Sequence, residues 1–105
     1  MLLTTSDLIP GKEYTVIGFV MGSFVNSKHI GKDIGAGLKS IVGGELKSYT
    51  KLMEESRLEA LHKMVGEAEK LGADAVVTVR LSSCSIMQGA AEMISYGTAV
   101  KFNER

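Results

Sequence analysis

One cysteine, one proline and no tryptophan occur in these 105 residues, and basic and acidic side chains cancel at 12 each. A single thiol, Cys84, cannot close a disulfide within the chain, so a reducing compartment is the default. Aromatic residues reach only 6%, leaving few platforms on which bases could stack. Zero net charge speaks against a surface that binds nucleic acid by neutralising phosphates. The longest apolar runs, such as residues 14–21, fall short of the roughly 20 residues that a bilayer span takes. The opening MLLTTSDLIP has neither a basic start nor the apolar stretch of a signal peptide. The expectation is a cytoplasmic protein with no nucleic-acid or membrane partner.

What is present is an ordinary globular composition, 45% hydrophobic and 23% charged. A chain of this length forms one domain, and burying about 60–70% of its unfolded surface lets it fold without a metal or disulfide. Pro10 and Gly11 read as a turn. YTVIGFVMG follows, rich in β-branched and aromatic residues, and reads as a strand over residues 14–22. Gly18 inside it marks a bulge or a close approach by another backbone.

Residues 27–44 show Ile30, Ile34, Leu38, Ile41 and Val42 at helical spacing, interrupted by Gly31, Gly35 and Gly37. A short helix is predicted there, closed by Gly43 and Gly44. Residues 48–71 are the clearest helix. Ser48 is its expected N-cap, Gly72 its stop, and Leu52, Met53, Ala60, Leu61, Met64 and Ala68 its apolar face. Glu59 and Lys63 are spaced to pair on the opposite side.

Two strands are predicted next, over 74–84 and 92–102, joined by the compact link SIMQGA as an antiparallel hairpin. The first alternates Ala75, Val77, Val79 and Leu81 with Val76, Thr78, Arg80 and Ser82. In the second, Ile94, Tyr96, Thr98, Val100 and Phe102 oppose Met93, Ser95, Gly97, Ala99 and Lys101. The fold class is therefore α+β, a single small domain with a β-α-β-β core. A three-stranded antiparallel sheet packs on one long helix. Such a sheet leaves open edges and a second apolar face that one helix cannot cover, so self-association is expected.

Candidate chemistry is sparse. Arg57 falls near the middle of the long helix's apolar face. A guanidinium there needs an anion, carbonyls or water. It could snorkel, pair with Asp74, Glu45 or Glu92, bind an anion, or join subunits. The glycine-rich segment 31–44 carries Lys32 and Lys39 but matches no dinucleotide or phosphate-loop fingerprint. His29, His62 and Cys84 have no metal-ligand spacing, so His29 and Cys84 are only weak metal candidates. The methionines read as core filler rather than copper ligands. No catalytic residue is assigned.

Residues 43–61 (GGELKSYTKLMEESRLEAL), 72–81 (GADAVVTVRL) and 92–102 (EMISYGTAVKF) together resemble the YbjQ-like family of small bacterial and archaeal proteins. The earlier GFVMGSFV and KDIGAGLKSIVGG fit the same pattern, so the resemblance spans nearly the whole chain. It implies a subunit shaped like dodecin, a closed ring expected to be a homopentamer, and no established enzymatic activity. It also carries the common label of a heavy-metal-binding domain. The pattern holds no thiolate or imidazole cluster, which is what soft metals need. Carried onto this chain, Gly43, Gly44, Gly72, Asp74 and Gly97 are structural turn positions. Glu45, Tyr49, Arg57, Glu92 and Tyr96 are candidates for an interface site holding a small polar or anionic ligand. No cofactor is expected beyond an occasional metal ion.

Overall fold

The computed structural model describes residues 1–26, 44–87 and 90–103. The predicted short helix, with His29 and Gly43, lies outside the described residues. Strand β1 is Leu2–Leu3, β2 Tyr14–Asn26, helix α1 Gly44–Lys70, β3 Ala75–Met87 and β4 Ala90–Phe102. The strands form one four-stranded sheet in the order β1-β3-β4-β2, with β1 parallel to β3 and the other pairs antiparallel.

The expected three-stranded antiparallel sheet is thus four-stranded and mixed. The added strand is too short to show alternation, and the segment that follows it is held at a bulge in β3. Between Val77 and Arg80 the β3–β4 register slips, and Thr78 takes φ 57°. That conformation is uncommon for a β-branched residue. There the Thr78 amide donates to Ser6 O at 3.1 Å and the Val79 amide to Thr4 O at 3.0 Å. The Arg80 guanidinium adds a bond to Thr5 O at 3.0 Å, so the bulge grips the N-terminal segment.

The same bulge breaks the predicted alternation of β3. Val76 and Val79 share the core beneath α1, whereas Ala75 and Val77 belong to a second cluster with Val100. Ile9, Tyr14 and Phe102 pack against that second cluster. One apolar face thus rests on the helix, and one end of the other face is covered by the N-terminal segment. A turn at Pro10 and Gly11, closed by Lys12 N to Ile9 O at 3.0 Å, leads that segment into β2. At the bulge in β2, the register slips between Val16 and Gly18, where the sequence predicts an irregularity.

Helix α1 starts four residues before the predicted Ser48 cap, so Gly44 is the first residue of this helix. Glycine is tolerated at either end of a helix, and its presence alone does not say which. The other end has the geometry expected of Gly72. Its φ is +80°, its amide bonds Glu69 O at 3.0 Å, and the Ala73 amide bonds Ala68 O at 3.0 Å. This paired motif ends a helix where a residue can enter the left-handed region.

The helix buries a stripe at four-residue spacing: Ser56, Ala60, Met64 and Ala68, each at most 1% exposed. Ser56, not Arg57, occupies the centre of that stripe. A serine can do so because its hydroxyl donates to Leu52 O at 2.9 Å. Arg57 lies one step round the helix and is half-buried.

The strands outrun their predicted limits. β2 continues to Asn26, β3 to Met87, and β4 begins at Ala90, leaving two positions between β3 and β4. The serine-rich SSCS run carries no apolar alternation, yet cross-strand pairing from Ser82 with Ile94 to Ser85 with Ala91 holds it in the sheet.

Candidate functional site

Helix–sheet contact is closest where β2 and β4 pass under α1. A Cβ added to Gly22 would collide with Ala60 O and Met64 N of the helix backbone. Only glycine lets strand and helix backbones approach this closely. Beside it, the buried Ser95 hydroxyl donates to Ala60 O at 2.7 Å and lies 3.4 Å from Gly22 O. Sequence reading did not single out Gly22 or Ser95. A small residue inside an apolar strand was the available signal at Gly22. Nothing local marked Ser95.

Ser95 facing α1 fixes the orientation of β4, because successive strand side chains point to opposite faces. Glu92 and Tyr96 therefore lie on the helix-free face. Across it, Tyr96 is flanked by Met21 and Arg80, and Glu92 by Val25 and Cys84. Within one chain the sheet stands between this pair and Arg57. The helix residues Glu45 and Tyr49 belong to the first turns of α1, and their side chains lie outside the described residues.

Asp74 does not pair with Arg57. Its carboxylate accepts from the Phe102 amide at 2.8 Å and sits 3.8 Å from Lys101 Nζ, tying the start of β3 to the end of β4. Lys101 also donates to Gly72 O at 3.2 Å. Gly97 fits under the β3 bulge, where a Cβ would meet Val76 Cγ1 at 2.7 Å. These three positions organise one end of the sheet. Lys63, expected opposite Glu59, lies over the Phe24 ring at 5.4 Å instead. The helical ion pair among the described residues joins Lys70 to Glu67 at 3.1 Å.

Among the described residues, the donors of one chain do not fit a metal. Cys84 is exposed and faces Glu92 across the strands, which supplies two donors of different softness. Among the described residues no three His, Cys, Asp or Glu side chains converge. No described helix is long and apolar enough to cross a membrane.

Two hollows lined by described residues flank α1. The larger, about 900 Å³, runs between the outer edge of β2 and the helix, with Phe19, Met21 and Leu71 among its apolar lining. The smaller, about 360 Å³, lies between Phe24 and the Leu52–His62 side of the helix. The large groove coincides with an open sheet edge. β2 has no strand on its outer side among the described residues, and Val16, Phe19, Met21 and Val25 are 44–67% exposed. Beyond Arg80, residues 81–87 of β3 likewise run past β1, and all are exposed.

Comparison with known proteins places these features in context. Residues 1–103 match a family model, YbjQ_1, described as "Putative heavy-metal-binding". A UPF0145 protein of Thermosipho melanesiensis is 58% identical over 96% of this chain and 94% of its own. Another from Methanosarcina acetivorans is 53% identical over the full length of both. Among solved structures, a protein of unknown function from Pediococcus pentosaceus, assigned to the DUF74 family, superposes with a TM-score of 0.71. It covers 98% of each chain at 15% identity, which shows the shared fold.

Proposed function

The chain belongs to the YbjQ-like family, UPF0145, and from that premise we propose that it is a non-catalytic module that assembles into a closed ring of its own copies and binds a small polar or anionic ligand where copies meet. The observation that carries this reading is the pair of sheet edges, one on β2 and one on β3, that are open among the described residues and bordered by exposed apolar side chains. Unpaired strand edges template pairing with other chains, and soluble proteins cover or blunt them. A ring of five is the number that the resemblance implies.

Assembly also supports the ligand site. Arg57 takes part in neither ion pair among the described residues. Glu92 and Tyr96 point away from it through the sheet. Only a neighbouring copy can bring these residues into one site. A half-buried guanidinium beside a second chain's carboxylate and phenol would hold a small polar ligand by hydrogen bonds, the guanidinium and phenol donating and the carboxylate accepting.

Native mass spectrometry of protein purified without a metal-affinity tag or chelator tests both parts. A closed oligomer is expected, and added mass identifies what it holds. A bare monomer would overturn the reading. A bound metal lost in Cys84→Ser would transfer it to the metal-binding reading carried by the family description. Arg57→Ala is expected to remove the added mass or weaken assembly; if neither changes, Arg57 is not part of the site.

A further inference from the structure

Resting on the self-assembly proposed above, we infer that copies join head to tail, with residues 81–87 of β3 from one copy pairing along the outer edge of β2 in the next and entering its α1–β2 groove. The groove is lined by residues 19–23 in unbroken succession, so side chains of both strand faces border it. Its wall is therefore the strand edge itself, whose outward backbone donors and acceptors meet no strand among the described residues. An incoming strand finds hydrogen-bond partners along that wall and room for side chains beneath the helix.

This stretch of β3, unpaired on its outer side among the described residues, fits the space in length, charge and the face that Leu81 occupies. Its seven residues, LSSCSIM, run for about 24 Å at strand rise, longer than the five-residue wall they would line. None is charged. The charges at the groove are already engaged, Lys70 with Glu67 and Lys63 over Phe24, so a neutral strand adds no unpaired charge. Leu81 pairs with Ser95, which faces α1, so Leu81 is on the helix-bearing side. In a sheet that continues from copy to copy with helices on one side, Leu81 drops into the groove. There α1 presents Gly66, where an added Cβ meets nothing within 4 Å.

A second copy is the occupant favoured here because a single contact closes both open edges. A symmetric β2–β2 pair would leave the β3 edge of each copy bare. A head-to-tail contact instead repeats from copy to copy and closes into a ring where its rotation permits.

Two variants and their mixture test this by native mass spectrometry, with circular dichroism as the check on folding. Gly66→Trp fills the groove from a position with open space, and Leu81→Arg charges the incoming strand at an exposed site. Each alone is expected to be a folded monomer, and Gly66→Ala to retain the wild-type assembly. Mixed one to one, they are expected to give a heterodimer, because the intact β3 edge of Gly66→Trp fits the intact groove of Leu81→Arg. Leu81→Arg carries the test on its own if Gly66→Trp loses its helical signal. Variants that keep the wild-type oligomer, or monomers that do not combine, overturn the head-to-tail contact while leaving self-assembly standing. A monomeric wild type overturns self-assembly itself.

Discussion

At Gly22 a single hydrogen atom decides how the helix lies on the sheet. The contact is backbone against backbone, so no rotamer change can make room for a methyl group there. Gly22→Ala is expected to cost about 2–3 kcal/mol through overpacking. At about 4–8 °C per kcal/mol in a domain of this size, the midpoint should fall by roughly 8–24 °C in a thermal melt. An unchanged midpoint would mean that the helix does not sit this close to β2. Ser95 contributes at the same place by a different means. Its hydroxyl bonds the carbonyl of Ala60 and thereby makes a buried polar side chain compatible with the helix–sheet interface. Arg57 shows the limit of reading a helical wheel. A step of 100° separates the centre of a buried stripe from its margin, and Ser56 holds the centre because its hydroxyl can bond back to its own helix.

Among the elements, the β3–β4 pair is tied at one end and open at the other. Asp74 is the tie: its carboxylate takes the amide of Phe102, the last residue of β4. Asp74→Ala leaves that half-buried donor without its partner and is expected to cost about 1–2 kcal/mol, read as a lower urea midpoint at unchanged slope. The Lys101 contact adds little, since both side chains are well exposed. Helix α1 shows what was legible at this scale. Its long middle was evident from apolar spacing and its end from Gly72. Its beginning was not, because glycine serves both ends. The sheet follows the same division. β4 kept its predicted alternation throughout. β3 did not, since the bulge at Thr78 moves Val79 to the face of Val76.

For the molecule as a whole, the decisive feature is that Glu92 and Tyr96 lie on one side of the sheet and Arg57 on the other. The proposed site would therefore form only across copies, which would link binding to assembly. Linked association makes apparent stability depend on concentration. A hundredfold dilution is expected to lower the thermal midpoint measurably, and a midpoint independent of concentration would count against assembly-dependent folding stability. A site assembled from neighbouring chains requires no close spacing within one.

The sequence by itself determined the α+β class, the long helix, the closing strand pair, the turn at Pro10 and the family. These rest on local periodicity, on glycine at a helix end, and on ordered runs that carry their own signature. Only the tertiary structure decided that Leu2 and Leu3 join the sheet, that Gly22 and Ser95 set the helix–sheet distance, and which face each candidate residue occupies. Each depends on contacts between residues far apart in the chain. Two residues cannot display a period, a missing side chain leaves no pattern, and one bulge reverses the facing of every strand residue beyond it.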